Sequence, residues 1–283
     1  MIKYVLDLYF YAEYVINKIW RNNIMKLKKL LSVLLVGACV VSLAACGSKK
    51  DEKSDDGDKK SKDTLVMATN AEFPPYEFRD GDKIVGIDAE VAQAIADKLG
   101  MKLKIEDMAF DSIIPAVTSG KADFGAAGLT VTEDRKKNVD FTDTYAKATQ
   151  VIMVKEDSDV AGPDDLEGKK IGVQLGTTGD MYAGDIKDAE VERYNKGFEA
   201  VQAVQQGKID AVVIDGEPAK EFVKQAEGIK ILDEAFTEEE YALAVDKGND
   251  DLLKKINDAL NDLKENGKLD EIVDKYINAD DAE

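Results

Sequence analysis

Two side chains of opposite charge stand at matching places in two similar stretches of the chain. The first is Arg135, in KADFGAAGLTVTEDR (121–135). Residues 122–127 are small and apolar apart from Asp123, which predicts a strand. Gly128 follows, where the missing Cβ lets backbone approach a ligand. Thr130 and Thr132 bring hydroxyls, and Thr132-Glu133-Asp134 predicts the cap and first turn of a short helix. Arg135 comes one turn later and can point back toward the carboxyl end of the strand. Free N–H groups, a hydroxyl and a guanidinium meeting at one point would clamp a carboxylate. Taken alone, an arginine so placed reads more simply as a surface cation beside a solvated acidic turn.

A second copy of the pattern changes that reading. Gln206-Gly207-Lys208-Ile209-Asp210 repeats the form of Ser119-Gly120-Lys121-Ala122-Asp123, 87 residues later. Each copy follows an amphipathic helix (Ile113, Ile114, Val117 in one; Phe198, Val201, Val204 in the other). Each leads into a buried strand that ends in a polar group, Thr130 in one and Asp215 in the other. Open α/β sheets bind ligands at the carboxyl ends of their strands. One unit offers a cation and the other an anion, as a zwitterion requires. Asp215 also reads as a helix N-cap, a role a carboxylate can combine with binding.

The elements that must position these groups can be read in order. Residues 64–69 form a strand, followed by the loop Asn70-Ala71-Glu72-Phe73-Pro74-Pro75-Tyr76, which its prolines stiffen. A short strand over 83–87 precedes a helix capped by Asp88, with Val91, Ile95 and Leu99 on one face and Gly100 at its end. Met101, Leu103 and Ile105 alternate as a strand, and Phe110-Asp111-Ser112 opens the next helix. Residues 140–149 read as a loop and 150–154 as a strand leaving this unit. After a polar connection, 170–173 is a strand and Gln174-Leu175-Gly176-Thr177-Thr178-Gly179 opens a helix. That turn suits an anion but lacks the lysine and spacing of a P-loop, which argues against phosphate. Residues 241–245 re-enter the first unit, and helices over 250–265 and 268–277 finish the chain. The expected layout is an α/β fold of two lobes with a hinge. Lobe 1 takes 64–153 and 241–283, and 154–240 form lobe 2, inserted into it.

Composition limits the rest. The net charge is −19. Residues 1–45 hold six Lys/Arg and two Asp/Glu, or +4, so the remainder carries −19 − 4 = −23. An acidic body argues against nucleic acid and anionic membrane as partners. There is no histidine, which excludes a His-dependent triad or a His metal site. No cofactor, metal or catalytic residue is expected. Met25-Lys26-Leu27-Lys28-Lys29 followed by the apolar run 30–43 has the form of a signal peptide, too short to span a bilayer. Leu43-Ala44-Ala45-Cys46 has the form of a lipobox, with Cys46 as the lipidated residue. Residues 1–24 precede a complete signal and read as a misassigned start or an amphipathic extension. Residues 46–63 lack large apolar side chains and read as a disordered tether. Only Cys39, inside the signal, and Cys46 are cysteines, so no disulfide is expected in the globular part.

ATNAEFPPYEF (68–78), FDSIIPA (110–116), GLTVTEDR (128–135), QLGTTGD (174–180) and VIDGEP (213–218) together resemble the family 3 bacterial solute-binding proteins, the amino-acid-binding lipoproteins of ABC importers. The resemblance covers about 64–278 and implies the type II periplasmic-binding-protein fold. By that resemblance, Phe73 and Phe110 sandwich the ligand side chain. Gly128, Thr130 and Arg135 hold its α-carboxylate with Thr177 and Thr178, and Asp215 holds its α-ammonium. Gln174 falls among the ligand-binding positions through its motif. Many relatives that bind polar or basic amino acids carry Asp where this chain has Asn70. Glu72 lies two residues on and could supply that charge, which points to a cationic, arginine-like ligand, with glutamine or cystine as alternatives. Phe73 and Phe110 also read as core aromatics, and Glu72 as a solvated loop charge. Expected partners are a free amino acid, the permease subunits, and the membrane through the lipid anchor, with the protein a monomer outside the cytoplasm. The rival readings are a dehydratase-type enzyme, which would need a Glu or Lys as general acid without histidine, and a receptor sensor domain.

Overall fold

Strand ends fix where the polar groups lie. The computed structural model describes residues 63–277. The extension 1–24, the signal-like segment 25–45, Cys46 and nearly all of the 46–63 tether lie outside the described residues. One sheet runs in the order Lys102–Asp107, Thr64–Thr69, Phe124–Gly125, Ala244–Asp246, Val139–Phe141. Its first three strands are parallel, and Ala244–Asp246 is antiparallel to both of its neighbours. The second sheet runs Glu190–Tyr194, Lys170–Gln174, Ala211–Asp215, Ala146–Lys155, Ile229–Ile231, and Thr237–Tyr241 also pairs with Ala146–Lys155. A small hairpin sheet, Glu72–Phe73, Glu77–Asp80 and Lys83–Val85, sits beside the first. Every strand of the second sheet falls between Ala146 and Tyr241, and Ala244–Asp246 completes the first. The second unit is thus inserted into the first. Among the described residues no helix is long and apolar enough to cross a membrane.

The two matched pentapeptides do the same structural work in both units. Gly120 (φ +71°) and Gly207 (φ +68°) end their helices in the left-handed region, which glycine enters without a Cβ penalty. Asp123 Oδ2 then accepts from the Val66 N–H at 2.7 Å, and Asp210 Oδ2 from the Lys170 N–H at 2.8 Å. Each aspartate grips the start of the neighbouring parallel strand. The strand that follows in the second unit, Ala211–Asp215, is buried along its whole length. That is why it reads as a continuous apolar run rather than an alternating one. The helix Ile87–Lys98 buries Val91, Ala92, Ile95 and Ala96 against Ile256, Leu260, Leu263, Leu269 and Ile272 of the two C-terminal helices.

Four sequence readings are corrected. Asp88 is not the cap of its helix: Gly86 holds that position. Asp88 is instead fully buried, accepting from the Gly128 N–H at 2.9 Å and from the Tyr145 hydroxyl at 2.5 Å. The expected loop 140–149 includes the end of Val139–Phe141 and the start of the ten-residue strand Ala146–Lys155. That strand pairs in the second sheet from Ala146 on, so the chain changes sheets before Ala146 rather than near 153. Tyr241 likewise closes a strand of the second sheet, and the return begins at Ala244.

Candidate functional site

Ten of the eleven expected residues line one narrow cavity between the two sheets: Asn70, Phe73, Phe110, Gly128, Thr130, Arg135, Gln174, Thr177, Thr178 and Asp215. Topology brings them together. Asn70 follows the strand Thr64–Thr69, and Phe110 lies beyond Lys102–Asp107. Gly128 and Thr130 lie beyond Phe124–Gly125, while Gln174 and Asp215 end their own strands. All of these strands are parallel to a neighbour, so the cavity sits at carboxyl ends in both sheets.

Arg135 is 8% exposed. Thr132 caps its turn, its hydroxyl accepting from the Arg135 N–H at 3.2 Å. The guanidinium donates to the Thr130 carbonyl at 2.8 Å and to the Gly176 carbonyl at 3.1 Å, reaching from the first unit to the second. It also stands 5.3 Å from the Phe110 ring centroid, a cation–π contact. Among the described residues no carboxylate lies within ion-pair distance of it. Burial pushes its pKa down, and Glu239 and Asp215 push it back up. The Asp215 carboxylate, 6% exposed, accepts from the Tyr241 hydroxyl and makes no cap bond to its helix. Burial above all, with Glu239 adding to it, raises its pKa to about 7, against the lowering pull of Tyr241, Gln150 and Arg135.

Several expected contacts are already committed. Gly128 sits at φ +53° with Tyr241 and Phe73 3.2–3.3 Å from where a Cβ would lie. Its N–H is taken by Asp88, so what it has left to offer is its carbonyl. The Thr177 hydroxyl caps the helix Thr178–Asp185 and donates to the Gln174 carbonyl at 2.8 Å. The Thr178 N–H belongs to the unpaired first turn of that helix. Thr130 faces Tyr241 across a bridge whose hydrogen bonds run through their neighbours, which leaves the Thr130 N–H outside the ladder. Asn70 and Gln174 meet across the cleft at 2.9 Å, and Asn70 also holds the Met108 carbonyl at 2.9 Å. Phe73 is both wall and core, 6% exposed and packed near Tyr76.

Glu72 is the residue the structure does not bring in. It lies outside the cavity lining and pairs with Lys196 at 2.6 Å, an exposed ion pair across the rim. The carboxylate that sequence reading missed is Glu239, 7% exposed. Its Oε2 accepts from the Thr130 hydroxyl at 2.9 Å, the Thr178 hydroxyl at 3.0 Å and the Gln150 amide at 3.1 Å. The signal was there: in TEEEY (237–241), period-two alternation puts Glu239 on the same face as Tyr241.

A family model described as "Bacterial extracellular solute-binding proteins, family 3" matches residues 65–279. The chain belongs to this family. Among relatives of this solute-binding protein, the "Arginine-binding extracellular protein ArtP" of Bacillus subtilis (strain 168) is 34% identical over 251 residues, covering 87% of this chain and 96% of that one. The "ABC transporter glutamine-binding protein GlnH" of the same strain is 32% identical over 273 residues, covering 91% and 100%. Among solved structures, an ancestral arginine-binding protein bound to arginine is 46% identical with a TM-score of 0.72, covering 76% of this chain and 98% of that one. An ancestral arginine-binding protein bound to glutamine is 46% identical with a TM-score of 0.71, covering 76% of this chain and 98% of that one. The two-sheet architecture is the type II periplasmic-binding-protein fold.

Proposed function

We propose that the protein captures a free polar amino acid outside the cytoplasm and hands it to the permease of an ABC importer. The observation that carries this reading is the pairing of Arg135 and Asp215 on one buried cavity. Arg135 with the Thr130 and Thr178 N–H groups takes the α-carboxylate. Asp215 takes the α-ammonium. Two lobes, joined where the chain passes between the sheets, close on the ligand because groups from both touch it.

The side chain extends toward Asn70, Gln174 and the Phe73 and Phe110 rings. Glu72 supplies no charge there. Arg135 and Asp215 offset one another, and the Glu239 carboxylate leaves the site one negative charge in excess. That favours a cationic ligand, and arginine over lysine, because a guanidinium is planar and weakly hydrated and stacks on aromatic faces. The second reading is glutamine, since the far end of the cavity is built of neutral amides. Calorimetry against the twenty amino acids tests both: arginine should bind most tightly, and a tighter glutamine or cystine overturns the arginine reading alone. The protein is read as a binder without turnover, and release of product from a prephenate-like substrate would overturn that.

Anchoring through Cys46 belongs to the same reading, motivated by the basic, apolar and LAAC segments in order. Cys46→Ala should abolish lipid labelling, and labelling that persists would remove the anchor from the proposal.

A further inference from the structure

One buried carboxylate touches no ligand group in this reading and acts there through its charge alone. Glu239 makes no ion pair among the described residues. Three polar groups from three segments meet its Oε2: Thr130 beyond the strand Phe124–Gly125, Thr178 at the start of its helix, and Gln150 on Ala146–Lys155. Its Oε1 is buried without a hydrogen-bond partner. A solvated surface charge would show neither feature.

Proton count gives this arrangement a consequence. A threonine hydroxyl has one proton and two lone pairs, and a carboxylate only accepts. The hydroxyl protons of Thr130 and Thr178 are therefore both committed to Glu239. Both threonines line the cavity, and what their oxygens have left for it is lone pairs. We propose that Glu239 is a positioning residue that fixes the Thr130 and Thr178 hydroxyls as acceptors and so makes the pocket select for a ligand ammonium. The inference rests on the amino-acid reading and refines it. The Thr130 hydroxyl moves from the carboxylate clamp to the ammonium side, beside Asp215 and the Gly128 carbonyl. The ligand carboxylate is left to Arg135 and backbone N–H groups. Carboxylic acids that lack the ammonium are rejected because these oxygens have no proton to give them.

The test compares arginine with 5-guanidinopentanoate, the same molecule without its ammonium, by calorimetry on the full chain. Wild type, Glu239→Gln and Thr130→Val are measured. Glutamine at 239 brings an amide that can donate to the hydroxyl oxygens and free their protons. The preference for arginine over the deaminated analogue should narrow at least tenfold in Glu239→Gln, and narrow in the same direction in Thr130→Val. Equal weakening of both ligands by Glu239→Gln would make Glu239 a structural tie only and overturn the proposal. If that variant does not fold, judged by circular dichroism, Thr130→Val decides, and an unchanged preference overturns it. If the wild type binds glutamine instead, glutamine and 4-carbamoylbutanoate are the pair. A wild type that binds no amino acid overturns the amino-acid reading and this inference with it, whereas binding with an unmoved preference overturns this inference alone.

Discussion

At the scale of single residues, the head-group contacts set the largest effects. Arg135 is buried and has no carboxylate partner among the described residues, so a ligand carboxylate completes its environment. Removing one partner of a desolvated charge pair costs about 3–5 kcal/mol. Arg135→Ala should therefore weaken amino-acid binding by roughly 10²–10³-fold or more, since each 1.4 kcal/mol is about tenfold. A loss of tenfold or less in calorimetry would place the clamp elsewhere. Asp215 adds a pH dependence. Its pKa of about 7 means that the ammonium meets a neutral carboxyl at low pH. Affinity should rise roughly tenfold from pH 6 to pH 8 and then level off, with proton release on binding below pH 7. Asp215→Asn should flatten that profile. The same raised pKa acts on the fold with the opposite slope. The contribution of Asp215 to stability is fully present below its ordinary value of 3.8 and is lost as pH rises through about 7. Charge type was legible in the sequence, and alternation in TEEEY marked the face of Glu239, but the partner that each acid meets was not legible. Glu72 and Glu239 are both loop-edge or strand acids in one dimension. Only tertiary pairing sends Glu72 to Lys196 and Glu239 inward.

At the scale of elements, the paired pentapeptides were legible because helix end, left-handed glycine and strand start follow local rules. Their purpose was less so. The sequence suggested ligand chemistry at the strand ends. The structure adds that Asp123 and Asp210 are strand clamps. Asp123 is half-buried and Asp210 exposed, so the two need not matter equally. Asp123→Ala leaves the Val66 N–H without its charged acceptor, at a cost of about 1–3 kcal/mol. Asp210→Ala should cost less, because water replaces the lost partner. Urea unfolding of the two variants checks the order, and equal midpoints would mean that the clamps carry no differential load. The strand Ala146–Lys155 was partly hidden for a physical reason. Its first half, AKAT, has weak strand preference and is held by pairing with Thr237–Tyr241, a partner about 90 residues away.

At the scale of the whole molecule, the cleft is held by contacts between the two units: Asn70 with Gln174, Arg135 with Gly176, Glu72 with Lys196, and Glu239 with Thr130. Behind the first-sheet side of that cleft lies a buried acidic pair, Glu77 and Asp88, both fully buried. Among the described residues no N–H or other hydroxyl donor meets the Glu77 oxygens, and its carboxyl faces that of Asp88, to which a protonated Glu77 donates. Desolvation first, and then the Asp88 charge, push the Glu77 pKa well above its ordinary 4.5. Asp88 itself rises to about 6, burial outweighing the bonds from Tyr145 and Gly128. A raised carboxyl binds more protons in the folded chain than in the unfolded one. The stability it contributes is thus fully present below about pH 4.5 and is lost as pH rises toward the folded value, at about 1.4 kcal/mol per pH unit for one proton. Glu77→Gln removes this proton and its slope while keeping the shape of the side chain. As pH rises above about 4.5 toward the folded value, the difference in unfolding free energy between wild type and variant should therefore shift in favour of the variant, by up to about 1.4 kcal/mol per pH unit. Parallel pH profiles for the two proteins in urea titrations would show that Glu77 is ionised in the folded state. The acidic layer under Gly128 would then be a charged support for the pocket rather than a neutral one.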